Sequence, residues 1–353
     1  MDHEKSPLRA AAAWEAGGAY KGVPQLSAAQ AARAACAHFS LPGEPAAVAR
    51  SARMLPSERD LNVRLDDGAG RAWLLKLSNN YEAAEAVDME VAAQDVCAQA
   101  GVEVPRAQHA AARRTSFTGA GASPRLLTDA PATEPPPRVV RLSGYLARLV
   151  SFVPGSTLAH AFQEAQGRAA REALLESWGE AAGAVAGALA AAAFEHVGAE
   201  RGPAFAWDLA NARGVVARHA GLLRAKEQAA CSWAMDMHAD AMAAAAASGG
   251  LRRSVVHNDA NEHNVIVRDG RAVALIDFGD CCHTETVNDC AIAAAYAMMV
   301  TCDAGGCGGE GEGEAGTKDV WPAACAVVRG YVSRHALTEA ELDAIFPLAV
   351  MRV

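Results

Sequence analysis

The chain has 353 residues, 51% of them hydrophobic, and a formal net charge of −9, which suffices for two domains with a sizeable core and gives a nucleic-acid partner no electrostatic footing. No uninterrupted apolar run reaches membrane-spanning length, so no membrane partner is expected. Nine cysteines without CxxC pairs, and a start (MDHEKSPLRAAAAWEAGG) with no apolar secretory stretch, argue for reduced thiols in a cytoplasmic location.

Residues 1–24 carry no periodic pattern and are expected to be disordered. Ser27–His38 reads as a helix, with Ser27 and Gln30 spaced as a capping box. Ala47–Arg53, Leu61–Asp66 and Ala72–Leu77 read as three strands. The loop spanning Leu55–Val63 has no glycine but carries Ser57, Asp60 and Asn62. Lys76 alternates with Leu75 and Leu77, and Asp88–Ala100 reads as a helix ended by Gly101. Residues 109–138, rich in Arg, Gly, Ser and Pro, read as a flexible insertion. Gly144–Pro154 is an apolar central strand.

The chain beyond is helical in pattern, over Thr157–Ala165, Arg168–Ala193 and Ala210–His238. In the second of these Leu174, Leu175, Trp178, Ala181, Ala182, Val185 and Leu189 recur at helical spacing and predict a core face. His196 reads as a loop or capping residue and Trp207 as a core anchor.

The stretch VVHNDANEHNVIVRDGRAVALIDFGD, residues 255–280, carries the chemistry. Short β-branched runs alternate with an Asp269-Gly270 turn, the signature of a hairpin with polar residues at its strand ends. Asp259 and Asn264 bound one loop, and pairing brings Asp277 back beside them. An amide oxygen and a carboxylate suit Mg²⁺ when phosphates and water complete its shell. A second carboxylate, Asp259, is then available to take the proton of an attacking hydroxyl, the parts list of phosphoryl transfer.

His257-x-Asp259-x-x-x-x-Asn264 followed by Asp277-Phe278-Gly279 resembles the catalytic and metal-binding loops of the protein-kinase-like fold. The version is that of aminoglycoside phosphotransferases, choline kinases and their small-molecule relatives. The wider string Asn261-Glu262-His263-Asn264 with Ile276-Asp277-Phe278-Gly279-Asp280 is most similar to the hydroxylysine kinases among them. The family usually has Gly where this chain has Asn258, the non-Gly residue that best tolerates positive φ.

The resemblance implies an α+β, two-lobed fold: a small β-rich N-lobe over residues 25–150 and a larger, mostly helical C-lobe over 151–353. It implies transfer of the γ-phosphoryl group of GTP or ATP to the hydroxyl of a small amine or amino-acid alcohol, 5-hydroxy-L-lysine first. Asp259 is then the catalytic base, Asn264 and Asp277 hold Mg²⁺, and Lys76 paired with Glu90 positions the phosphates. Ser57 and Asn62 contact phosphate or ribose, Ser151 and Val153 offer main-chain groups to the base, and His257, Asp280 and Asp289 support the loop. Acids near Asp259 suit a cationic amine, but charge alone does not separate hydroxylysine from choline, ethanolamine, homoserine or an aminoglycoside. A catalytically inactive kinase-like binding module is the other reading.

Beyond the motif, Cys281, Cys282, His283 and Cys290 supply no zinc spacing and read as buried free thiols and a substrate-side His. Asp289 begins a helix over Asp289–Thr301, and residues 303–318 form a Gly/Glu insertion. Helices are expected over Val320–His335 and Thr338–Val353, the latter with a Thr338/Glu341 capping box. Its apolar end, with no polar tail, suggests a truncated chain. Nothing in the pattern fixes the oligomeric state.

Overall fold

The computed structural model describes residues 22–57, 59–111, 135–303 and 320–353. The expected disorder over 1–24 and the insertions at 109–138 and 303–318 therefore lie, but for a few flanking residues, outside the described residues. The chain divides into two compact units, one comprising the residues up to Val91 with Pro105–Phe152, the other Ala92–Val104 with Val153–Val353.

The first unit is built on an antiparallel sheet: β1 (Arg53–Leu55), β2 (Leu61–Asp66), β3 (Ala72–Leu77), β4 (Val139–Leu142) and β5 (Tyr145–Ser151), in the order β1-β2-β3-β5-β4. In β2 the alternation is complete: Leu61, Val63 and Leu65 are buried, and the polar residues between them are not. Helix α1 (Ala28–Phe39), with its Ser27/Gln30 capping box formed, lays Ala31, Ala35 and Phe39 on that apolar face.

Residues 47–51, expected in a strand, instead lie in helix α2 (Pro45–Ser51), leaving only Arg53–Leu55 extended. The stretch PAAVARS has Pro in its first turn, where a missing N–H costs nothing, and buries only Val48. At the far end of the β2–β3 hairpin, buried Asp67 accepts hydrogen bonds from the amides of Ala69 and Arg71 and from Trp73 Nε1. Burial pushes this carboxyl up, but these bonds prevail and hold it below the usual Asp range. Helix α3 (Ala84–Gln99) follows, and the boundary between the units runs through it.

The second unit is mainly helical. It holds a three-stranded sheet of β6 (Ser156–Thr157), β8 (Val265–Arg268) and β9 (Arg271–Leu275), and a two-stranded one of β7 (Arg253–Val256) and β10 (Cys282–Glu285). Asp269 and Gly270 close the β8–β9 hairpin with φ of 52° and 73°, both positive as a two-residue I′ turn requires. Helices α4 (Leu158–Glu164) and α5 (Gly167–Ala191) come next. Every predicted core residue of α5 except half-buried Ala181 is buried.

The expected helix Ala210–His238 is broken. Helix α6 (Ala212–His219) passes into a 3₁₀ turn over Ala220–Leu222, and α7 (Ala225–Ala247) starts afresh. Gly221 weakens the join, and Glu227 reaches back to the Arg224 amide to cap the new helix. Helices α8 (Asn288–Asp303), α9 (Trp321–Val332) and α10 (Glu339–Arg352) complete the unit. Among the described residues no helix is long and apolar enough to cross a membrane.

Helices α5 and α9 touch backbone to backbone. A Cβ added at Gly179 would sit 1.9 Å from Val327 O, and one at Gly330 1.9 Å from Glu176 O. The neighbouring Trp178 donates from Nε1 to Ala260 O at 3.1 Å, in the loop between β7 and β8.

Candidate active site

In the first unit, strand β3 presents Lys76 opposite Asn62 of β2 and Arg148 of β5. Lys76 is buried, and its Nζ lies 3.3 Å from Glu90 Oε1 on α3. The other carboxylate oxygen of Glu90 takes the guanidinium of Arg148, which also donates to Ser78 Oγ at 2.8 Å. Glu90 thus serves two buried cations, and the Lys76 head is held in place rather than reaching for solvent. Asn62 has its Oδ1 buried with no hydrogen-bond partner among the described residues. Ser57 Oγ accepts from the Asp60 amide, and Asp60 accepts from the amide and side chain of Asn79. The Ser151 amide is committed to Arg106 O at 2.9 Å, so it is not a donor available to a base.

In the second unit, the loop His257–Asn264 joins β7 to β8, and buried Asp289 pins its start. Asp289 Oδ2 accepts the His257 amide at 3.0 Å and Oδ1 the Asn258 amide at 2.7 Å. Burial raises the Asp289 carboxyl above its usual range, against the opposing effect of His257 and of both amides. Asn258 has φ 65°, the left-handed conformation that glycine takes without cost. His257 Nε2 is 3.1 Å from Ile276 O, and Nδ1 accepts the Asp259 amide at 3.3 Å. A carbonyl only accepts, so the ring is the neutral Nε2–H tautomer, and it lies edge-on to Phe278 at 4.7 Å.

Three side chains hold the Asp259 carboxylate. Asn264 Nδ2 donates to Oδ2 at 2.7 Å, while Asn261 Nδ2 and Arg352 Nη2 donate to Oδ1 at 2.9 and 3.0 Å. Burial and the Asp280 charge push the Asp259 pKa up to about 7, with Asp277 adding to the rise; Arg352 and the Asn261 hydrogen bond oppose it. The Ile276 amide donates to Asn264 O at 2.9 Å, which sets Asp277 next to Asn264 as the hairpin register predicts. Asp277 itself has φ 63°. Strain of this kind in a non-Gly residue persists where the surroundings fix it.

Sequence reasoning missed three residues here. Arg352 lies 93 positions from Asp259 and carried no local signal. Trp207, expected as a core anchor, is half-buried: its carbonyl accepts from Asn258 Nδ2 and Arg352 Nη1, and its ring lies 5.4 Å from the Arg352 guanidinium. Arg201 donates to the carbonyls of Gly279 and Cys281, holding the turn after Asp277. Asp280 is close enough to raise Asp259, and His283 pairs with Glu200 at 3.3 Å. Cys281, Cys282 and Cys290 are buried and in no disulfide, and burial pushes the Cys282 and Cys290 thiols well above the usual range.

No group of three or more His, Cys, Asp or Glu side chains forms a metal cage among the described residues. The donor set at Asn264 and Asp277 is one amide oxygen and one carboxylate. Because Asn264 Nδ2 is spent on Asp259, its Oδ1 is the atom left for a cation. Two hard oxygen ligands fit Mg²⁺, which draws its remaining ligands from phosphates and water.

No curated protein matches the chain by sequence. Among solved structures, the chain is similar to the amicoumacin kinase hAmiN in complex with AMP-PNP, Ca²⁺ and Ami. The match has a TM-score of 0.55 and 15% identity, over 90% of this chain and 81% of that one. Aminoglycoside phosphotransferase APH(3'')-Id from Streptomyces rimosus, in complex with ADP and streptomycin, matches at TM-score 0.45 and 15% identity, over 86% and 93% of the two chains. A glucosamine kinase matches at 0.47 and 17%, over 82% and 68%. At such identities the likeness is one of fold, and the first match carries it. The kinase-like α+β fold agrees with the family pattern of the phosphotransferase enzyme family (APH), which matches residues 52–321; the chain belongs to that family and is a small-molecule phosphotransferase acting on hydroxyl groups.

Proposed function

We propose that this protein transfers the γ-phosphoryl group of GTP or ATP to the hydroxyl of a small amine-bearing alcohol, with 5-hydroxy-L-lysine as the first acceptor. In the reaction the bond from the γ-phosphorus to its bridging oxygen breaks, and a new bond forms to the acceptor oxygen. The hydroxyl proton passes to Asp259. The observation that carries this reading is the Asp259 carboxylate, held by Asn261, Asn264 and Arg352 with one acceptor position left over. Lys76, braced by Glu90, is the cation for the phosphates, and buried Asn62 Oδ1 is an acceptor for a nucleotide hydroxyl. Ser57 is assigned to the phosphates, and the carbonyl of Ser151 and the main chain of Val153 to the base. Mg²⁺ held by Asn264 and Asp277 would neutralise the charge on the phosphate oxygens. Positioning and electrostatics supply most of the rate in such transfers.

An amine acceptor is favoured by Asp280, whose charge is felt at Asp259, and by Glu262, whose charge is felt at Tyr296 beside Arg352. The test is a mass-spectrometric screen with Mg²⁺ and either GTP or ATP. The acceptors are 5-hydroxylysine, homoserine, choline, ethanolamine and an aminoglycoside. Phosphate on hydroxylysine supports the acceptor; phosphate on another alcohol keeps the chemistry and discards it.

A further inference from the structure

Asp259 has one neighbour that the loop itself does not supply. Arg352, on the last turn of α10, has a side chain only 6% exposed, and its Nη2 donates to Asp259 Oδ1 at 3.0 Å. Its position is over-determined. Nη1 donates to Trp207 O at 3.3 Å, and the guanidinium lies over the rings of Trp207 and Tyr296 at 5.4 and 5.6 Å. Trp207 O is in turn held by Asn258 Nδ2 at 3.2 Å, within the same loop as Asp259. An arginine fits this slot as a lysine would not: its planar fork serves two acceptors at once while its faces stack on aromatic rings.

The consequence is a count of lone pairs. An ionised carboxylate offers about four acceptor sites. Arg352 and Asn261 take two on Oδ1 and Asn264 takes one on Oδ2, so the remaining site is on Oδ2. The terminal torsion of an Asp side chain is broad, so the donors decide where that site points. The Asp280 and Asp277 charges press on the same carboxylate. Without Arg352, Oδ1 keeps only the Asn261 amide, a neighbour two residues away on the same loop.

We propose that Arg352 is the positioning residue for the Asp259 carboxylate, fixing from α10 which oxygen meets the acceptor hydroxyl. The inference rests on Asp259 being the base of the proposed reaction. Arg352 donates to Asp259 and to Trp207 O, and the role proposed for it runs through Asp259.

The test compares the full chain with Arg352→Ala, Arg352→Lys and Asp259→Asn, reading turnover of Mg·ATP with 5-hydroxylysine or water as acceptor. Arg352→Ala is expected to lower kcat on the order of 10²-fold while leaving the nucleotide KM unchanged. Added ethylguanidinium should restore part of kcat by filling the slot between Trp207 and Tyr296, and Arg352→Lys should fall between the two. An unchanged kcat in Arg352→Ala, with Asp259→Asn inactive, overturns this proposal and leaves the base assignment standing. Full activity in Asp259→Asn overturns the base assignment and this proposal with it. A loss of kcat that follows a lower melting point and does not respond to ethylguanidinium makes Arg352 merely structural and also overturns it. If the wild type turns over nothing, the melting points decide. The drop on Arg352→Ala must shrink in an Asp259→Ala background, which has no acceptor for Nη2, and an equal drop in both overturns the contact.

Discussion

Gly179→Ala tests the packing that supports the loop carrying Asp259. Alanine in the middle of a helix is normally worth about 1 kcal/mol over glycine. Here the new Cβ would lie 1.9 Å from Val327 O and 2.8 Å from Tyr331 N, both backbone atoms of α9. Real Cβ atoms essentially never come within 3.0 Å of another heavy atom, so the oxygen must retreat from 1.9 to 3.0 Å, about 1.1 Å. A backbone carbonyl cannot rotate away as a side chain can, so α5 and α9 must separate. Overpacking costs about 1–3 kcal/mol or more, and this case belongs at the upper end. Against the propensity gain, the net loss is about 2 kcal/mol or more, a fall in Tm of about 4–8 °C for a domain of this size. Gly187 on the same helix is the control. Its added Cβ would meet Arg334 O at 3.3 Å, a contact relieved by a few tenths of an ångström, so Gly187→Ala should be neutral or slightly stabilising. Urea unfolding of the two variants, followed by far-UV circular dichroism, reads the difference. Equal stability of Gly179→Ala and Gly187→Ala would refute the backbone contact and the support it gives Trp178.

Asp289→Asn should lower both stability and turnover: an amide can accept only one of the His257 and Asn258 N–H groups and sets its own NH₂ against the other, costing about 1–3 kcal/mol by chemical denaturation. The Glu341 carboxylate, buried, accepts from Arg252 Nε at 2.8 Å and from the Thr338 amide at 2.8 Å. Burial raises its pKa, but these bonds outweigh it and hold the pKa below the usual Glu range. A depressed folded pKa gives stability that is present above the unfolded pKa and lost as pH falls through the folded one. Unfolding free energy should therefore drop below about pH 4.5, and Glu341→Gln should flatten that part of the curve; identical curves would count against the pair. Lys76→Ala should weaken Mg·ATP binding by about 10–100-fold in calorimetry, the worth of one charge-assisted hydrogen bond, and an unchanged Kd would remove Lys76 from the phosphates.

Much of the scaffold was legible locally. The strand pattern bounded β2 and β3, Asp269-Gly270 marked the turn of the β8–β9 hairpin, and Ser27/Gln30 and Thr338/Glu341 marked two helix starts that form as capping boxes. Asn258 standing where relatives carry glycine foretold its positive φ. The misreadings arose where local patterns compete. Residues 47–51 hold one β-branched residue, Val48, among alanines, and the helix they form opens with Pro45 in its first turn. The break after His219 was hidden because alanine is compatible with helix on both sides of Gly221. The contacts of Arg352, Trp207 and Arg201 depend on tertiary proximity between segments distant in sequence, and no residue pattern announces them.

In the proposed function Asp259 serves phosphoryl transfer to an alcohol. The most direct measurement is the rate of labelled γ-phosphoryl transfer to the acceptor found in the screen, for wild type and Asp259→Asn, with Mg·nucleotide affinity measured on both. A base at Asp259 requires a loss on the order of 10²–10⁴-fold in the variant with nucleotide affinity retained. Equal rates in the two proteins would contradict it.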